Sequence, residues 1–197
     1  MQEQPPRVVI RPDNDPGTVF PSVGVTRSQL VFWANNDSVA HLPVGPAGAF
    51  IGLTAIQPGT TSNTQAPGNA LKTLVPGGLS QGQVYTLNYQ CSLHPGESGV
   101  MELVNDFYPP DLQITVTRDS TTKIFPSVPL ITGGKPPYTF TIAYSELPST
   151  AIVVDGGNAG PLLSGSSDTA GTFLLRITMQ DALSNVLDSE TFQITIN

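Results

Sequence analysis

Apolar residues alternate with polar ones along most of this chain. Tyr85, Leu87, Tyr89 and Cys91 are separated by Thr86, Asn88 and Gln90. The same period returns at Leu112, Ile114 and Val116, at Tyr138, Phe140 and Ile142, at Phe173, Leu175, Ile177 and Met179, and at Phe192, Ile194 and Ile196. Side chains of a strand point alternately to opposite faces, so each run predicts a strand with one buried face. Arg7–Arg11, Gln29–Ala34, Leu71–Val75 and Val100–Val104 are further strand candidates by composition. Turn residues separate them: Pro12–Gly17, Asn35–Ser38, Pro76–Gly78, Gln81–Gly82, Pro95–Gly96, Gly133–Pro137 and Ala170–Gly171. Residues 42–70 are rich in Gly, Pro, Thr and Asn and predict an irregular excursion around the short apolar piece Ala49–Leu53. No stretch sustains a helical period. The expected class is all-β, as two sandwiches in succession, 1–107 and 108–197, with the prolines after Tyr108 stiffening the join.

Composition supports short strands and many turns. Gly and Pro number 19 each, and only 12% of residues are charged, against roughly 25% in a typical globular chain. The 8 Lys and Arg against 15 Asp and Glu leave a net charge of −7, which argues against nucleic acid and against anionic membrane surfaces as partners. Nothing is long and apolar enough to predict a membrane-spanning helix. A single cysteine forms no internal disulfide, so cysteine usage leaves the compartment open. The polar start Met1-Gln-Glu-Gln-Pro-Pro is unlike a cytosolic protein, and the expected location is periplasmic or extracellular, with a secretory leader ahead of Met1 removed.

The chemistry concentrates in Tyr89-Gln-Cys-Ser-Leu-His-Pro-Gly-Glu-Ser-Gly-Val-Met101. This stretch holds the sole cysteine, Cys91, and one of two histidines, His94; the other, His41, precedes Cys91 by fifty residues. The alternation places Cys91 on the buried face of its strand and His94 in the turn after it. If the three meet, they form a His₂Cys set, which suits copper. A soft thiolate and imidazoles hold both Cu(I) and Cu(II), and a trigonal set with one weak axial ligand rearranges little between them. The same donors with a carboxylate also suit zinc.

These residues resemble the cupredoxins, the plastocyanin-like blue copper proteins. In that family a first His lies near the end of an early strand, and a Tyr/Phe-x-Cys-x-x-His-Pro-x-Met-x-Gly-x-Val loop follows about fifty residues later. The resemblance covers roughly residues 7–105. It implies a Greek-key cupredoxin-like β-sandwich over 1–107, a copper cofactor held by His41, Cys91 and His94, electron transfer to a redox partner protein, and no catalytic activity. It also implies a docking surface of apolar residues around His94, with Leu93, Pro95, Leu42 and Pro43 as candidates. One position departs from the pattern: Glu97 stands where the family has its axial Met, while Gly99 matches the Gly and Met101 takes an apolar strand position. Glu97 is then either an axial oxygen ligand or a solvated loop residue, and Met101 is expected in the core. Asn36, Asp37 and Ser38 are the candidates to hydrogen-bond His41.

Residues 108–197 resemble bacterial Ig-like repeats, on Gly133-Gly-Lys-Pro-Pro-Tyr-Thr-Phe-Thr-Ile142, Thr169-Ala-Gly-Thr-Phe173 and Thr191-Phe-Gln-Ile-Thr-Ile196. The resemblance implies an Ig-like β-sandwich acting as spacer or docking module. This half has no His and no Cys, which removes thiol and imidazole catalysis. Asp155, Asp168, Asp181 and Asp188 lack the spacing of a calcium loop and are expected to be turn and surface acids. Multicopper enzymes need further histidines, which this chain does not have. The competing expectation is a secreted or cell-surface interaction protein whose first sandwich binds metal weakly or not at all.

Overall fold

The computed structural model describes residues 7–12, 19–107 and 113–197, with backbone alone at 47 and 187–190. Contacts group the chain into two compact units, Met1–Leu79 with Gln83–Asn105, and Ser80–Gly82 with Asp106–Asn197. Strands dominate both. Among the described residues no helix is long and apolar enough to cross a membrane.

The first unit has two layers. β1 (Arg7–Ile10) and β3 (Phe32–Asn35) pair in parallel. β2 (Val23–Thr26), β4 (Pro43–Val44), β5 (Tyr85–Cys91) and β6 (Ser98–Val104) form a second sheet in the order β2-β6-β5-β4. The β2/β6 pair is parallel, and β6/β5 and β5/β4 are antiparallel. The chain therefore crosses between layers, from β1 to β2 and back to β3, because parallel neighbours cannot be joined by a hairpin. Between the sheets lies one core, with Val8, Ile10 and Trp33 from the first and Val25, Leu87, Tyr89, Met101 and Leu103 from the second.

β5 follows its sequence pattern. Leu87, Tyr89 and Cys91 are buried, Tyr85 is half-buried, and Thr86, Asn88 and Gln90 are exposed. Met101 faces Leu87 across the ladder and is fully buried, so it is a core residue. Two expectations need correction. Leu71–Val75 is no strand: a 3₁₀ turn at Pro67–Ala70 runs into the helical turn α1 (Leu71–Leu74), closed by the Val75 N–H donating to the Leu71 carbonyl at 2.8 Å. Leu71, Leu74 and Val75 all pack on the core, and their spacing of i, i+3, i+4 is helical. Strand β3 begins three residues later than Gln29 and takes in Asn35, whose amide is buried. Residues 42–70 are irregular but not detached. Val31 bridges Gln65, Ala34 bridges Thr61 and His41 bridges Ile56, which ties the excursion back to the edge of β3.

The second unit is a separate two-sheet sandwich. Its strands are β7 (Gln113–Val116), β8 (Ile124–Pro129), β9 (Thr139–Ser145), β10 (Ala151–Asp155), β11 (Pro161–Ser166), β12 (Gly171–Gln180) and β13 (Val186–Ile196). They form sheets β10-β11-β8 and β7-β13-β12-β9 around a core that includes Ile114, Phe125, Leu163, Leu175, Ile177, Phe192 and Ile194. Alternation foretold β7, β9, β12 and β13. It placed Ile142 inside, whereas Ile142 is exposed on β9, an edge strand of its sheet. The predicted turn at Pro12–Gly17, apart from Pro12, and the predicted Tyr108–Pro110 join and Leu112 lie outside the described residues.

Gly99 shows how tightly the first core is filled around the metal-binding candidates. It pairs with Tyr89 across β5/β6, and the tyrosine ring lies over it. A methyl group at this position would stand 2.5 Å from Tyr89 Cζ and 2.7 Å from Phe20 Cβ. Gly99→Ala is therefore expected to destabilise the first unit by about 1–3 kcal/mol through overpacking. Urea denaturation followed by tryptophan fluorescence reads this directly, since Trp33 is the only tryptophan and sits in the same core.

Candidate metal centre

The four side chains singled out from sequence converge. One donor atom from each of His41, Cys91, His94 and Glu97 lies within 4.8 Å of the other three. This is the group with metal-ligand chemistry found among the described residues. Cys91 ends β5 and points inward, as the last residue of the buried row Leu87, Tyr89, Cys91. Strand β4 runs alongside, with Pro43 opposite Cys91. The Ser92 N–H donates to the Leu42 carbonyl at 2.9 Å, and the Leu42 N–H donates to Cys91 Sγ at 3.4 Å. This ladder delivers His41, two residues before Pro43, to the same pole.

The 91–97 loop is tied on itself. Cys91 N–H donates to the Glu97 carbonyl at 2.9 Å, and Glu97 N–H donates to the His94 carbonyl at 3.2 Å. The turn at Pro95-Gly96 is left-handed at Gly96, with φ of 111°. It folds His94 and Glu97 back over Cys91. Cys91 Sγ is then 3.5 Å from His94 Nδ1 and 3.8 Å from His41 Nδ1. Glu97 Oε2 is 2.9 Å from His41 Nδ1 and 3.4 Å from His94 Nδ1. Four donors at bond lengths of about 2.0–2.3 Å around a tetrahedral ion stand about 3.3–3.8 Å apart. The distances of 3.4, 3.5 and 3.8 Å fall in that range, and Glu97 Oε2 to His41 Nδ1, at 2.9 Å, is a hydrogen-bond contact that would have to open slightly; with that change the donor set fits a first-row metal ion.

Burial is graded across the group. His41 and Cys91 are sealed off, while the His94 side chain is 35% exposed and Glu97 15%. The rings of His41 and His94 meet edge to face with centroids 4.9 Å apart. Phe20 packs edge-on against His41 at 5.7 Å and against Tyr89 at 5.4 Å. Burial pushes the Tyr89 phenol up to about 12, against a smaller opposing pull from the Trp33 side chain. Of the expected apolar collar, Leu93 and Pro95 are exposed, Leu42 is half-buried and Pro43 is buried.

Behind His41, Asp37 is the hydrogen-bond partner among the three residues proposed from sequence: its Oδ2 lies 3.0 Å from His41 Nε2. Burial alone would raise the Asp37 carboxyl, but the Ser38 N–H and His41 outweigh it and hold it below its ordinary range. Two contributors carried no legible signal. Asn35 is buried and bonds the loop from within, and Phe20 reaches His41 from a segment with no strand pattern. Among the described residues the second unit's acids form no group that could hold a metal ion. Asp155 accepts from the Gly157 N–H, and Asp181 from the backbone of Lys135, Leu183 and Asn185. The side chain of Asp188 lies outside the described residues.

No family model and no curated protein matches the chain. Among solved structures it is similar to a purple cupredoxin from Nitrosopumilus maritimus, at 18% identity and a TM-score of 0.32, over 50% of this chain and 98% of that one. It is similar to a mutant of amicyanin solved as Cu(I), at 18% identity and 0.33, over 52% of this chain and 85% of that one. It is also similar to an endo-fucoidan hydrolase from glycoside hydrolase family 107, at 13% identity and 0.29, over 88% of this chain and 32% of that one.

The burial of Cys91 has a direct test. The metal-free native protein is expected to react with a thiol-specific reagent far more slowly than the urea-unfolded chain does. Equal rates in the two states would contradict the sealed position of the sulfur.

Proposed function

We propose that the first unit is a mononuclear copper protein of the cupredoxin type that transfers electrons, with His41, Cys91, His94 and Glu97 as its ligands. The observation that carries this reading is the convergence of four donors, two imidazoles, one thiol and one carboxylate, within 4.8 Å. Bound copper would supply a one-electron Cu(I)/Cu(II) couple suited to this ligand set. The protein supplies the rest. The sealed positions of His41 and Cys91 exclude water and hold the donors in place, so little has to rearrange when the charge changes. His94, the more exposed imidazole, offers the edge through which an electron passes to a redox partner protein docking on Leu93 and Pro95. The second unit serves as an Ig-like spacer or docking module. The chain as a whole is non-catalytic and works in the periplasm or outside the cell.

Glu97 distinguishes this site from one with a thioether in the same place. A carboxylate is a hard anionic donor and favours Cu(II) over Cu(I). The same short contact gives a second reading, since two imidazoles, a thiolate and a carboxylate close a four-coordinate zinc site. A third reading is a surface interaction protein that binds no metal tightly.

Adding Cu(II) to the metal-free protein separates the three. Electron transfer predicts one equivalent of copper and an intense visible thiolate-to-copper band that is lost in Cys91→Ser. Stoichiometric zinc with no such copper band points to the zinc site, and no stoichiometric metal points to the interaction protein. In the copper form Glu97→Met is expected to raise the reduction potential, by about 59 mV for each tenfold by which the carboxylate favours Cu(II). Voltammetry measures it, and an unchanged potential would remove Glu97 from the ligand set.

A further inference from the structure

We propose that Asp37 is a positioning residue for the copper ion: it fixes His41 as the Nε2–H tautomer, turns the Nδ1 lone pair toward Cys91, and biases the couple toward Cu(II). The proposal rests on the copper reading of the site and adds a residue outside the ligand set.

The geometry is specific. His41 is fully buried, and each ring nitrogen faces a carboxylate oxygen: Glu97 Oε2 at 2.9 Å on the Nδ1 side and Asp37 Oδ2 at 3.0 Å on the Nε2 side. The Nδ1 side is where Cys91 Sγ and Glu97 gather, so Nε2 is left to point away from the candidate ion. A metal ligand needs a lone pair on one ring nitrogen, and the hydrogen bond made by the other nitrogen decides which one that is. An ionised carboxylate only accepts, so Asp37 requires a proton on Nε2; Glu97 makes the same demand on Nδ1 until a bound ion takes that proton's place, and it is in the copper form that Asp37 alone holds the remaining proton.

A simple turn role would use one carboxylate oxygen and leave the other in water. Asp37 uses both. Oδ1 accepts from the Ser38 N–H at 2.6 Å, with the Ser38 hydroxyl at 3.4 Å, and Oδ2 is given to His41. Only 7% of Asp37 is exposed, and a charge is placed so only when paired and hydrogen-bonded. The loop cannot easily swing it away. Asp37 N–H donates to Asn35 Oδ1 at 2.8 Å, and the Asn35 amide donates to the carbonyls of Val39 at 2.7 Å and Ile56 at 2.8 Å. Ile56 in turn exchanges two backbone bonds with His41, at 2.7 and 3.1 Å. Acceptor and ring are therefore pinned to the same two segments. A carboxylate drawing on Nε2–H makes the imidazole a stronger donor at Nδ1, which favours the more highly charged copper ion.

The test uses the full chain, Asp37→Asn, which keeps an acceptor oxygen and removes the charge, and Asp37→Ala, which removes both. Asp37→Asn is expected to keep the charge-transfer band and raise the potential; a tenfold loss of preference for Cu(II) is about 59 mV. Asp37→Ala is expected to weaken Cu(II) binding about 10–100-fold, and Cu(I) binding by less. Nitrogen-15 spectra of the wild-type Cu(I) form read the tautomer without any variant, and a His41 proton on Nε2 is expected. A proton on Nδ1 overturns the proposal, as do folded variants with wild-type potential and Cu(II) affinity. Wild-type protein that shows no Cys91-dependent copper band overturns the copper reading and this one with it, whereas a normal wild-type band with unmoved variants overturns the role of Asp37 alone.

Discussion

The pairing of β4 with β5 is the constraint on which the candidate centre depends. It is a short contact, Pro43 opposite Cys91 and Val44 opposite Gln90, and it joins segments fifty residues apart along the chain. Two bonds across its end, Ser92 N–H to Leu42 carbonyl and Leu42 N–H to Cys91 Sγ, fix the register. A slip of one residue would turn Cys91 to the solvent face and move His41 off the pole, because strand side chains alternate with period two. The sulfur is thus held by the sheet.

Around that contact the buried side chains of Asn35, Asp37 and His41 are paired, while the Trp33 indole N–H is buried without a hydrogen-bond partner among the described residues. Each of the three paired residues has partners among the others or on the backbone around them. Aromatic side chains surround the network: Phe20 lies against His41 and Tyr89, and Trp33 and Phe50 lie beyond. An unpaired polar group in such a setting costs on the order of 1–3 kcal/mol. The network therefore holds its geometry firmly, which is what a site that changes charge with little movement requires. The graded exposure, from sealed Cys91 to partly open His94, gives that site a single face toward water.

The second unit contributes no member to this group. Asp155 and Asp181 are used within its own turns, and its apolar core lies between two sheets. Its edge strand β9 leaves Ile142 and Tyr144 exposed. The chain's two imidazoles and its thiol all sit in the first unit.

Sequence by itself determined the strand content, the burial of alternate residues in β5, β12 and β13, and which side chains were candidates to hold a metal, with Glu97 left between ligand and loop residue. These are local properties: period two, turn residues, and the scarcity of His and Cys. It misread Leu71–Val75, because one helical turn is too short to establish a period, and it passed over β8 and β11, whose apolar residues are interrupted by Gly, Ser and Pro, and β10, whose apolar run does not alternate. Only the tertiary structure decided that Glu97 folds back onto both imidazoles and that Asp37 rather than Asn36 or Ser38 holds His41. Each of those outcomes depends on the angle at which one segment approaches another across the core, and that angle is set by packing between residues far apart in the chain, which no local pattern encodes.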